Sequence, residues 1–185
     1  MARRGVQLIL VCEDGEHERF ARYALLEFGF QRHELRFFLS PSGRGAAEQW
    51  VRQRYADEVR AHRRKACYRQ VGLVVVIDAD GETVARRERR LANELRQSKQ
   101  QERQARERIV HWIPRRHVET WVAFLRDQSV DERMDCKGLV DVRDYRPATK
   151  TFVEIYREPH RRPAGLLASI THALDETNRL VAQSS

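Results

Sequence analysis

The run Leu73-Val74-Val75-Val76-Ile77, with the Asp78-Ala79-Asp80-Gly81 that ends it, constrains the fold more than any other stretch of this chain. Five consecutive apolar residues, four of them β-branched, have no polar face to offer to water. That is the pattern of a strand buried on both sides, as in a parallel sheet covered by helices. Such strands end at the edge where α/β proteins bind their ligands. Two carboxylates two residues apart at that edge suit a hard divalent cation, which takes one or two carboxylate oxygens and keeps several waters. The same four residues also make an ordinary turn, since Asp and Gly dominate turns.

The rest of the chain alternates in the same way. Val6 to Cys12 is a second buried-strand pattern, and it too ends in acid, Glu13-Asp14-Gly15-Glu16. A helix follows with Phe20, Tyr23, Ala24 and Leu26 to Phe28 supplying its apolar side, and Gly29 stops it. Glu13, Asp14, Glu16 and Glu18 could serve that helix as caps and dipole partners. Leu35 to Leu39 is a third strand, followed by a glycine-rich loop holding Arg44 and a helix over 46–64. The loop lacks the lysine-serine ending of a P-loop, which argues against ATP hydrolysis by this chain.

Glu82 to Arg108 reads as one long polar helix, with Leu91 and Leu95 as a narrow apolar stripe. Ile109 to Ile113 is a fourth strand candidate. Val118, Trp121, Val122 and Leu125 then follow helical spacing, with Glu119 in the first turn. His111 and His117 could be ligands, but lone histidines are more often ordinary packing or surface residues. Residues 126–162 are less regular, and Phe152 to Tyr156 continue a helix or form a short edge strand. A final helix covers 163–181. The expected fold is a single α/β domain over residues 1–185. It has a mostly parallel sheet with helices on both faces, a core of about 6–125 and a C-terminal helical extension.

A net charge of +8 and a pI near 9.9, most of it from arginine, point to a polyanionic partner, in the first place nucleic acid, with DNA preferred to RNA. Cys12, Cys67 and Cys136 contain no Cys-x-x-Cys pair, so neither a disulfide framework nor a zinc site is indicated. Cys12, inside an apolar run, reads as a packed core thiol. No signal peptide and no apolar run of membrane-spanning length is visible, so the expectation is a cytoplasmic protein with no membrane partner.

Right-handed crossovers would bring the ends of the first and central strands to one sheet edge. Glu13, Asp14, Asp78 and Asp80 would meet there and repel one another without a cation between them. Glu119 is a further candidate ligand. Glu13, Asp78 and Asp80 are the catalytic candidates. Arg44, Arg86, Arg87, Arg90, Arg115 and Arg116 are the residues expected to hold a phosphate backbone.

An acidic residue after the first strand, an Asp-x-Asp after a later apolar strand and the α/β alternation between them resemble the TOPRIM domain. That domain occurs in topoisomerases, primases and the overcoming-lysogenization-defect (OLD) nucleases. The resemblance spans roughly Val6 to Leu125 and implies a TOPRIM-like fold with Mg²⁺ or Mn²⁺ as cofactor. By it, Glu13 serves in metal binding or acid/base work, and Asp78 and Asp80 bind the metal. Glu119 is the candidate for a second metal position. The family has Gly directly after its glutamate, whereas Asp14 intervenes here, so Glu13 and Asp14 both stay candidates for that part. The implied activity is metal-dependent phosphodiester cleavage, with a separate ATPase subunit as partner and anti-phage defence as context. A homo-oligomer is also compatible with this reading. Two alternatives carry different chemistry. One is a receiver-like domain with Asp78 as phosphoacceptor, and the other is a non-catalytic nucleic-acid-binding or scaffold subunit in which the arginines do the work.

Overall fold

A computed structural model of the chain describes residues 5–41 and 46–181. The apolar run of the central segment forms strand β3 (Val71–Val76), buried at every position. It lies beside β1 (Gln7–Cys12), with Leu10 opposite Val74 and Cys12 opposite Val76. β2 (Leu35–Leu39) pairs on the other side of β1, and β4 (Ile109–Trp112) on the other side of β3. The four strands are all parallel, in the order β2-β1-β3-β4.

Because strand side chains alternate between faces, the sheet feeds two cores. Leu8, Leu10, Cys12, Val74, Val76, Val110 and Trp112 point to one of them. It is closed by α1 (Gly15–Glu27), α4 (Val118–Leu125), α5 (Tyr145–Arg157) and α6 (Ala168–Val181). Ile9, Val11, Leu73, Val75 and Ile109 point the other way, against α2 (Ala47–Ala66) and α3 (Val84–Gln97). The α/β class, the helices on both faces and the C-terminal helix agree with the expectation from sequence. Cys12 is fully buried, and burial pushes its thiol up to about 12.

The segment after α4 is part of the core. Phe152 of α5 lies 5.5 Å from Phe20, 5.6 Å from Trp112 and 6.3 Å from Trp121 between ring centroids. The Phe152 to Tyr156 stretch is therefore helix and not edge strand. At Gly72, a Cβ would come within 2.6 Å of Leu8 Cδ2 and 3.0 Å of Leu180 Cδ2. The missing side chain is what lets α6 seat against the start of β3.

The expected long helix over 82–108 is a correction. α3 ends at Gln97, Lys99 takes a left-handed φ of 57°, and the chain then runs irregularly to β4. Helix-forming composition loses here to tertiary anchors. Gln100 Nε2 donates to the Ala56 carbonyl at 2.7 Å, and Arg103 Nη1 donates to the Ile109 carbonyl at 2.9 Å. The final helix likewise starts at Ala168 and not near Pro163.

The two sheet edges differ. α6 seals β4: Glu176 accepts the His111 backbone N–H at 3.1 Å, and Trp112 Nε1 donates to Thr177 Oγ1 at 3.1 Å. β2 pairs with no strand on its outer side among the described residues. No helix among the described residues is long and apolar enough to cross a membrane.

Candidate metal centre

In the order β2-β1-β3-β4 the direction in which successive strands are added reverses between β1 and β3, so their carboxyl ends flank the topological switch point. Ile77, Ala79 and Gly81 N–H groups donate to the carbonyls of Trp112, Pro114 and Arg115, extending the ladder past β3. This holds Asp78 in place, only 5% exposed, at the crevice.

His17, in the first turn of α1, organises the site. Its Nε2 lies 2.8 Å from Asp78 Oδ1 and its Nδ1 lies 2.8 Å from Asp14 Oδ1. Both ring nitrogens face carboxylate oxygens, and both can donate only in the imidazolium form. Burial opposes that charge, but Asp78 first and Asp14 next raise the His17 pKa well above its ordinary value. Asp78 shifts the opposite way. Its burial is outweighed by His17 and by His117, whose Nδ1 lies 3.3 Å from Asp78 Oδ2, and the carboxyl is held low.

Asp14 carries out the capping role that its position allowed. Its side chain accepts from the Glu16 and His17 backbone N–H groups at 2.9 and 3.1 Å. These bonds and His17 outweigh burial and keep the carboxyl below its usual range. Glu13 differs. Its Oε1 is buried with no hydrogen-bond partner. Burial raises its pKa to about 8, with Asp78 and Asp80 adding to the rise while His17 and Arg87 oppose it. One donor atom each from Glu13, His17 and Asp78 lies within 4.8 Å of the other two.

Asp80 is drawn aside. It sits at a left-handed φ of 53°, followed by Gly81 at 80°, and Arg87 Nη2 donates to its Oδ2 at 2.8 Å. Asp tolerates that conformation better than most residues. Arg87 is fully buried, with its other terminal nitrogen on Glu48. Expected at the surface for a phosphate backbone, Arg87 instead bridges α2, α3 and the β3 end. Glu119 has no direct bond to the cluster but lies in its field. Burial raises its pKa, and Asp78 and Asp14 add to the rise.

The other predicted arginines surround this edge mostly in ion pairs. Arg86 and Arg90 reach Glu82 at 3.5 and 2.9 Å, Arg115 reaches Glu132 at 3.6 Å and Arg116 reaches Asp135 at 3.9 Å. Arg86 is the most exposed, at 64% of its side chain. Arg44 lies outside the described residues.

Sequence reasoning missed His17. Its spacing was a usable signal, because positions 14 and 17 are three apart at a helix start and share a face. No family model, no curated protein and no solved structure matches this chain.

Proposed function

We propose that the carboxyl ends of β1 and β3 bind a divalent cation and that the chain cleaves phosphodiester bonds with it. The observation that carries this reading is Glu13 Oε1, buried and unpaired beside Asp78. A buried carboxyl without a partner stays protonated unless a cation joins it. The donor set fits a metal. Glu13, Asp78 and, once it has lost a proton, His17 would hold the ion, and an imidazole in the set suits Mn²⁺ better than Mg²⁺. When bound there, a divalent ion would supply Lewis-acid polarisation of a phosphodiester and stabilisation of the leaving oxygen.

The protein's own groups supply the rest. Asp14 and Asp78 orient the His17 ring, and His117, 15% exposed, stands at the mouth with Nε2 3.8 Å from Asp135. Arg86, Arg90, Arg115 and Arg116 give this edge the cationic rim that a phosphate backbone needs. DNA as substrate, a separate ATPase partner and a defence role extend the same reading through the TOPRIM resemblance.

The test is incubation of plasmid and linear DNA and RNA with Mn²⁺, comparing wild type with Asp78→Asn. Mn²⁺ affinity is read separately by calorimetry. The expected result is metal-dependent cleavage in wild type and a loss of Mn²⁺ affinity of more than about 100-fold in the variant, beyond the range seen for partners outside the ligand set. Equal Mn²⁺ binding by both proteins would overturn the site.

A further inference from the structure

The two edges of the sheet are treated very differently. At β4 the outward backbone groups are met by side chains: the His111 N–H by Glu176 and the Ile109 carbonyl by Arg103. At β2 the strand Leu35-Arg36-Phe37-Phe38-Leu39 carries three apolar residues that are half-buried and a Leu39 that is 41% exposed. Natural edge strands of this composition invite pairing unless something covers them.

The direction of the β2 backbone groups can be worked out. The Ser40 N–H donates inward to the Cys12 carbonyl at 3.2 Å. Strand groups alternate direction residue by residue, so those of Phe38 and Arg36 also turn toward β1. The N–H and C=O groups of Leu35, Phe37 and Leu39 therefore turn outward. This set is symmetric about Phe37.

We propose that two copies of this chain pair through β2, antiparallel about a two-fold axis at Phe37, to form one continuous sheet. In that register Phe37 exchanges both backbone hydrogen bonds with its own copy, and Leu35 does the same with Leu39 of the second copy. All the outward groups of the strand are satisfied, and the exposed Leu39 side chain meets Leu35. Centring the axis on Phe38 instead would place Pro41, which has no N–H, opposite Leu35. Centring it on Arg36 would need His33, which belongs to the 3₁₀ turn Arg32–Glu34.

The faces match as well. Leu35 and Phe37 belong to the α1 side and would form an apolar strip with their counterparts. On the other face Arg36 would lie opposite Phe38 of the second copy. The Phe38 ring already carries guanidinium groups from Arg54 at 3.8 Å and from Arg36 of the same copy at 4.9 Å, so this is an aromatic surface that accepts cations. An isologous contact of this kind closes on itself and stops at two copies. A strand pair of five residues covers less than the roughly 800 Å² per partner of a standard interface, so the dimer expected is micromolar rather than tighter.

The test uses the whole chain in sedimentation equilibrium from about 1 to 200 μM, a range set to bracket that affinity. Wild type should dimerise, and Leu39→Lys should raise the dissociation constant at least tenfold while leaving the far-ultraviolet spectrum unchanged. Register is read by oxidative cross-linking in a Cys67→Ser background, which removes the exposed native thiol. Phe37→Cys should form a disulfide between copies, since a hydrogen-bonded antiparallel pair sets its Cα atoms about 5.5 Å apart. Arg36→Cys, displaced from its own copy, should not. A wild type that stays monomeric throughout, a dimer untouched by Leu39→Lys, or equal cross-linking at both positions would overturn the proposal.

Discussion

At the scale of single residues, the site is defined by which carboxylates already have partners. Asp14, Asp78 and Asp80 are each bonded, to His17, to two histidines and to Arg87 respectively, and Glu13 is the one with a buried unpaired oxygen. Its raised pKa has a definite sign. The folded state keeps the Glu13 proton up to about pH 8, whereas the unfolded chain releases it near 4.5. Between those values the native state binds more protons, so stability falls as pH rises through the window. Glu13→Gln should remove that decline, and urea unfolding at pH 5, 6.5 and 8 should show its advantage over wild type growing with pH. Arg87→Met tests the neighbouring pair. It would leave Asp80 without its guanidinium while Glu48 keeps Arg52, and because Asp80 is 61% exposed the cost should be about 2 kcal/mol, below the 3–5 typical of a fully buried pair.

At the scale of elements, the legible parts of the sequence were those where one interaction dominates. β1 and β3 could be read because a strand buried on both faces has no choice but a continuous apolar run, and α4 because Val118, Trp121, Val122 and Leu125 are all buried on one stripe. The end of α3 could not be read. Composition over 98–108 favours helix, and what stops it is a pair of bonds, from Gln100 to the carbonyl of Ala56 in α2 and from Arg103 to that of Ile109 in β4. The same limit applied at the site. The convergence of Glu13 and Asp78 was visible in the strand ends, whereas His17 as their partner and Arg87 as the holder of Asp80 depend on side-chain directions across elements.

The seal between α6 and β4 is the element-scale feature most open to test. Glu176 accepts the His111 N–H and pairs with Arg103 and Arg179. Burial raises its pKa but Arg103 outweighs this and holds it low, so its contribution is present above the ordinary carboxylate range and is lost in acid. Glu176→Ala should cost about 2–3 kcal/mol by leaving the His111 N–H without an acceptor and removing the carboxylate that Arg103 and Arg179 share. Hydrogen exchange should show the His111 amide losing protection before the rest of β4.

For the whole molecule, a cation that binds only the native site should stabilise the fold by mass action. Mn²⁺ at about 100 times its dissociation constant should add roughly 2.7 kcal/mol and raise the melting temperature, and Asp78→Asn should abolish the increase. The strand order has one more consequence, in time. His17 and Asp78 are 61 positions apart, and β3 cannot take its place beside β1 until α1, β2 and α2 have all been made. At about 5–20 residues per second, a ribosome completes Glu13 several seconds before it reaches Asp78. An N-terminal fragment from interrupted synthesis would carry the glutamate and the histidine but not β3 and its Asp78. Whatever chemistry this edge performs is therefore withheld from unfinished chains by the order in which the sheet is laid down.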